Sequence, residues 1–262
     1  MKKLNAKKVG SPVLFLIVSL LFLSFVNLEL KAQDNHSKKK HLCTIKGEWA
    51  PADSLLGDRN FFWKKKLVSV WFIDDKGMLR DEVLQTANEW SKYTGVTFVK
   101  ALSREKSDIR LSFASSGWWS YVGTNALSIS KDSVTISLDQ LYLEGKEKRR
   151  GIILHEFGHV LGLLHELQSQ NFKLEWDEPA LFAYYRKEFN VDEAWVRFNI
   201  IDKYKEPGAI YCEFDPNSIM IYEIPKGLLK DQSVEFKEAT TLSVLDRKYI
   251  KLFYSGKSCS EK

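Results

Sequence analysis

The pattern of apolar and polar positions divides the chain into stretches of different character. Residues 13–26 are apolar except for Ser19 and Ser24, and Lys2, Lys3, Lys7 and Lys8 precede them. Residues 33–60 begin with the polar, cationic run QDNHSKKKH. Regular periodicity starts near Phe61. In LVSVWFI (67–73), Val68, Val70 and Phe72 alternate with Ser69, Trp71 and Ile73, which predicts a strand with at least one buried face. Leu79, Val83, Ala87 and Trp90 recur at helical spacing, and Gly95 marks the break that follows. VTFVK (96–100), IRLSF (109–113) and residues 134–138 predict further strands, with Ile109, Leu111 and Phe113 opposing Arg110 and Ser112. The first half therefore reads β-α-β-β-β, an α/β arrangement. The second half reads mainly helical. One helix is predicted over 147–161, and one begins at Asp177, a good N-cap with Pro179 in the first turn. A last helix is predicted over about 239–254, with Leu242, Leu245, Tyr249, Ile250 and Phe253 on one face.

The N-terminal pattern has the three-part layout of a secretory signal peptide: a basic start, a short apolar run, then a polar stretch containing the small residue Ala32. Cleavage is expected after Ala32. The apolar run falls short of the roughly 20 residues of a membrane-spanning helix, so an uncleaved anchor is the lesser alternative. Cys43 lies too far beyond the run to serve as a lipid-attachment cysteine. The expected organisation is a signal peptide over 1–32, a linker or short pro-segment over 33–60, and a folded domain over 61–262.

Composition changes this picture only where charge is concerned. The chain has 262 residues, 44% hydrophobic and 28% charged, with a net charge of +5. That balance excludes a wholly disordered chain, a collagen-like chain and a multi-pass membrane protein. Residues 1–32 hold five lysines and one acid, Glu29, so +4 of the charge belongs to the export segment. The remainder, with 34 basic and 33 acidic residues, supports no nucleic-acid partner. Three cysteines, Cys43, Cys212 and Cys259, are too few for a disulfide-dense scaffold. Export permits one disulfide and leaves one cysteine over; the pairing stays open, with Cys43–Cys259 as one way to staple the chain ends.

Candidate chemistry is concentrated in the run from His155 to Glu166, HEFGHVLGLLHE. His155 and His159, four apart, project from one helix face and reach a common ion. Glu156 is turned about 100° away, which suits a general base acting on water that the metal activates. Gly162 is the natural helix stop, after which the chain folds back and presents His165. Three imidazoles with one open position describe a catalytic zinc site rather than a structural one. The other two histidines, His36 and His41, lie in the linker, so every histidine of the folded region belongs to this motif.

The motif resembles the signature of the metzincin zinc endopeptidases, H-E-x-x-H-x-x-G-x-x-H followed by a methionine turn, and Glu166 after the third histidine makes it similar to the astacin family. Ser218-Ile219-Met220-Ile221-Tyr222 resembles that family's methionine turn, S-x-M-H-Y, and Trp119-Ser120-Tyr121-Val122-Gly123 resembles its W-S-Y-V-G stretch. The resemblance implies a metzincin α+β fold: a mixed twisted sheet with two long helices, a mainly helical and irregular C-terminal subdomain, and a zinc cleft between them. It implies one catalytic zinc ion held by His155, His159 and His165. Glu156 is then the base, Met220 packs beneath the metal, and Tyr222 is an additional ligand that swings away to stabilise the oxyanion. Protein or peptide substrates would lie along a sheet edge near Trp118, Trp119 and Tyr121, and one of the two tryptophans is expected in the core. The enzyme is expected to be secreted, without stable membrane association after signal cleavage.

The chain departs from the family at several points. Ile221 replaces the histidine before the tyrosine, and Gly95 and Trp118 stand where two family cysteines are expected, so the animal disulfide framework does not carry over. In mature animal astacins the glutamate matching Glu166 ties down the new N-terminus. A latent form is conceivable in which Cys43 or Asp58 occupies the open zinc position, an ordinary linker residue being the plainer reading of each. The alternatives from other classes are a catalytically silent metzincin fold acting as a protein-binding module and a membrane-tethered basic protein.

Overall fold

The computed structural model describes residues 43–46, 57–74, 76–203, 208–210, 212–257 and 259. The expected signal peptide and most of the expected linker lie outside the described residues. Eight strands are described: β1 (Cys43–Lys46), β2 (Gly57–Asp58), β3 (Leu67–Phe72), β4 (Thr97–Lys100), β5 (Ile109–Ser112), β6 (Trp118–Tyr121), β7 (Ile136–Leu138) and β8 (Ala209–Ile210). Six of them form one sheet in the order β1-β6-β7-β5-β3-β4. β3 pairs in parallel with β4 and β5, and β5 with β7, while β6 runs antiparallel to β7. β1 covers the outer edge of β6 in parallel register, Cys43 opposite Trp118 and Lys46 opposite Tyr121. The segment expected to be a linker therefore contributes a strand to the main sheet. It contributes a second through β2, which pairs with β8.

The alternation in β3 places Val68, Val70 and Phe72 in the core as predicted. β5 lies in the middle of the sheet and is buried at all four positions, Arg110 included. A buried guanidinium requires acceptors on every side. Arg110 donates to the carbonyls of Asp108 (2.9 Å), Ala126 (3.1 Å), Ile129 (2.9 Å), Ser130 (3.2 Å) and Ser133 (3.2 Å). The side chain that breaks the apolar pattern thus pins the loop between β6 and β7.

Helix α1 (Met78–Ala87) packs against β4, the short α2 (Ser91–Thr94) lies against the last helix of the chain, and Gly95 closes α2 with φ +69°. The central helix α3 (Lys146–Val160) is bolted to α1 by bidentate Arg149–Glu82 pairing and to the turn after α1 by Arg150–Glu89. Two indoles cap its backbone: Trp90 donates to the Leu154 carbonyl and Trp63 to that of Val160. The last two turns of α3 are buried almost all round.

The second half is less helical than the pattern predicts. It holds α4 (Glu178–Phe189), with the expected Asp177 cap, the short α5 (Glu193–Val196), one π-turn over Arg197–Ile201, and α6 (Val244–Tyr254). α6 starts five residues later than predicted. Ser243 accepts from the Asp246 N–H (2.8 Å) and Asp246 accepts from the Ser243 N–H (2.8 Å), a capping box that sets the first turn. Cys212 is bonded to Cys259, which ties the irregular segment before Met220 to the chain end. Cys43 is left as the free thiol, so the Cys43–Cys259 option is not the one adopted.

Removing the Arg110 side chain strands five carbonyls. Arg110→Ala should lower the unfolding free energy by about 3 kcal/mol, read from urea denaturation.

Candidate metal centre and active site

α3 carries His155, Glu156 and His159, and ends where Gly162 adopts φ +95°. A side chain at 162 would also strike the Phe62 ring, so glycine is required by both backbone and space. The reversal sends Leu163 back across the helix end and brings His165 up beside His159. A second segment, 218–222, passes beneath α3. Gly158 lies directly over the Met220 thioether, and a Cβ there would overlap Sδ.

Each imidazole is fixed from behind. His155 Nδ1 donates to the Ile219 carbonyl (2.7 Å) and His159 Nδ1 to the Leu163 carbonyl (2.8 Å). A carbonyl only accepts, so both rings carry their proton on Nδ1 and turn an Nε2 lone pair inward. His165 Nδ1 lies 2.8 Å from the Tyr222 hydroxyl, which donates in turn to the Cys43 carbonyl (3.2 Å). The three Nε2 atoms converge: those of His159 and His165 are 3.0 Å apart, and that of His155 has no hydrogen-bond partner among the described residues. Cys43 Sγ completes the group at 3.6 Å from both His159 Nε2 and His165 Nε2. All four donor atoms lie within 4.8 Å of one another.

This donor set fits zinc. Ideal Zn–N and Zn–S bonds in a tetrahedron give edges of about 3.3 Å between nitrogens and about 3.6 Å between sulfur and nitrogen. Two facing lone pairs at 3.0 Å repel unless a shared cation draws them together. Electrostatics agree. Burial pushes His155 down to about 4, against the pull of the Ile219 carbonyl, and drives His159 and His165 well below the ordinary imidazole value. All three rings are neutral and ready to ligate. Burial also raises the Glu156 carboxyl to about 8, partly offset by a hydrogen bond from the Cys43 thiol. Burial, then the Glu156 charge, pushes that thiol well up.

His155, Glu156, His159, His165, Met220 and Tyr222 are thus brought together. Tyr222 stands behind His165, with its hydroxyl on Nδ1 and on the Cys43 carbonyl. Trp118 and Trp119 are both buried: Trp118 enters the main core and donates to the Asp139 carbonyl, and Trp119 donates to that of Ser116. Of the two, Trp118 alone joins the main apolar core, in line with strand alternation. Tyr121 is half-buried, edge-on to Trp119. Asp58 is not at the site; its buried carboxylate caps the turn 59–61 through the Asn60 N–H (2.8 Å). In the sequence Cys43 is one option among linker residues, because its partners lie more than a hundred positions away. Its signal is chemical type alone.

Fold and centre together define a metzincin. The model of the Astacin peptidase family matches residues 56–248. Tolloid-like protein 1 of Homo sapiens is 33% identical over 90 residues, and tolloid-like protein 2 of Mus musculus is 35% identical over 82. Those stretches cover 34% and 31% of this chain, but only 8% and 7% of the relatives. Among solved structures, that of myroilysin superposes with a TM-score of 0.71 at 29% identity, covering 76% of this chain and 97% of myroilysin. High choriolytic enzyme 1, a hatching enzyme zinc-protease from Oryzias latipes, shares the fold at 17% identity, with a TM-score of 0.51 and coverage of 81% and 99%. The chain belongs to the astacin family, which is zinc-dependent.

The purified chain should carry one equivalent of zinc, and His159→Ala should lose it on dialysis, as read by elemental analysis. Chelation should lower the wild-type melting temperature, because zinc binds only the folded state.

Proposed function

We propose that the chain is an exported zinc endopeptidase held latent by its own Cys43. The observation that carries this reading is the convergence of the Cys43 thiol with three inward-facing imidazole lone pairs. His155, His159 and His165 would hold the ion through Nε2, with Cys43 as the fourth donor. When bound, zinc polarises the scissile carbonyl and lowers the pKa of the attacking water.

The latent contacts are of three kinds. The Cys43 sulfur would fill the ligand position, beside the Glu156 carboxyl. The Cys43 carbonyl holds the Tyr222 hydroxyl. Strand β1 occupies the edge of β6. Removing the segment releases all three together. The freed edge then accepts an extended polypeptide substrate as an added strand. Glu156, relieved of the thiol, takes the proton of the attacking water and passes it to the leaving amine. Tyr222, relieved of the carbonyl, donates to the developing oxyanion. Glu166 fits its family role of receiving the new N-terminus: Oε1 accepts from the Asp215 N–H, and Oε2 has no partner among the described residues. Export rests on the pattern of residues 1–32. Among the described residues no helix is long and apolar enough to cross a membrane.

Two variants test the reading. Glu156→Gln should keep its zinc while casein hydrolysis by the processed enzyme falls at least about a hundredfold; an undiminished rate removes Glu156 from the role of base. A chain shortened to begin after Lys46, which loses the thiol, the Cys43 carbonyl and β1 together, should hydrolyse casein where the full chain does not. If the shortened chain is as silent as the full one, the segment that carries Cys43 is not the lock.

A further inference from the structure

We infer that Asp246 is a positioning residue for the metal centre, acting on His155 through the backbone of Ile219. The inference rests on the reading that the three histidines hold zinc. In a capping box, the carboxylate at the third helical position normally reaches the N-cap N–H and goes no further. Asp246 makes that bond to Ser243 and continues. Its Oδ1 accepts from the Ser218 hydroxyl (2.7 Å), and its Oδ2 also accepts from the Ile219 N–H (2.9 Å). The carboxylate is almost fully buried, so no water substitutes for these donors.

Ile219 is therefore gripped on both sides. Its N–H is held by α6 through Asp246, and its carbonyl holds His155 Nδ1 at 2.7 Å. That carbonyl points correctly only while the peptide before it is fixed. A second line runs through Ser218. Its Oγ accepts from the Met220 N–H (3.0 Å), and the Met220 carbonyl accepts from the Glu166 N–H (3.0 Å), next to His165. One carboxylate on α6 thus disciplines the loop that orients one ligand and braces the backbone of another. Groups that orient ligating histidines in this way typically change metal affinity about ten- to a hundredfold when removed.

The test uses the full chain with Cys43 in place. Zinc affinity is measured by competition against a chromophoric chelator, alongside the melting temperature of the metal-free protein and the visible spectrum of the cobalt-substituted form. Asp246→Asn should weaken zinc binding by about tenfold or more and alter the cobalt spectrum. Phe253→Leu, which loosens α6 at its stack on Phe62 without touching the loop, should lower the melting temperature and leave both metal readouts unchanged. If Asp246→Asn does not fold, Ser218→Ala, which removes one of the same bonds, should weaken zinc in the same direction by a smaller factor. The inference is overturned if Asp246→Asn or Ser218→Ala binds zinc like wild type. It is equally overturned if the Phe253 variant loses affinity in proportion to its stability. A wild-type chain that binds no zinc would instead defeat the underlying assignment of the metal centre.

Discussion

Two backbone carbonyls decide where the chemistry of this protein takes place. A neutral imidazole has one donor and one acceptor nitrogen, and a carbonyl behind Nδ1 leaves Nε2 no choice but to face the other way. The Ile219 carbonyl does this for His155 and the Leu163 carbonyl for His159. The rest of the architecture serves those two bonds. Gly162 turns the chain so that Leu163 folds back over the end of α3. Met220 packs under Gly158, which keeps the neighbouring Ile219 at the right height. The capping box of α6 extends into the same loop and holds it from below.

The four residues of β1 couple two events that are chemically distinct. A peptide that adds to the edge of β6 is guided by main-chain hydrogen bonds along the strand, while a ligand to zinc is selected by its donor atom. Cys43 stands where the two meet, because the register that sets it opposite Trp118 also drops its thiol among the histidines. Its carbonyl meanwhile engages the Tyr222 hydroxyl. In the latent form proposed above, loss of the strand would free the sulfur position, the edge of β6 and the Tyr222 hydroxyl in one step.

Much of the fold is legible because its signals are local. β3, the helix α1 and the long helix α3 follow from period-two and period-3.6 patterns, and Asp177 and Gly95 act as the cap and stop they resemble. The helix predicted from 239 begins too early because Leu242 extends the apolar face of α6 beyond its true beginning. The capping box at Ser243 and Asp246 overrides that periodicity. Arg110 departs from the pattern for a different reason. Alternation describes a half-buried sheet, whereas β5 is central and covered on both faces.

The sequence by itself determined the metal-binding helix face, the glycine reversal that follows and the third histidine, because all lie within eleven residues and obey helix geometry. It also contained Ser218–Tyr222 as a recognisable companion. Only the tertiary structure decided what completes the centre. Cys43 rather than Asp58 joins the histidines, Cys212 rather than Cys43 forms the disulfide, and Asp246 links α6 to the loop behind His155. Those choices join residues tens to more than a hundred positions apart. No local periodicity encodes them; they are set by how the sheet edge, the central helix and the last helix pack together.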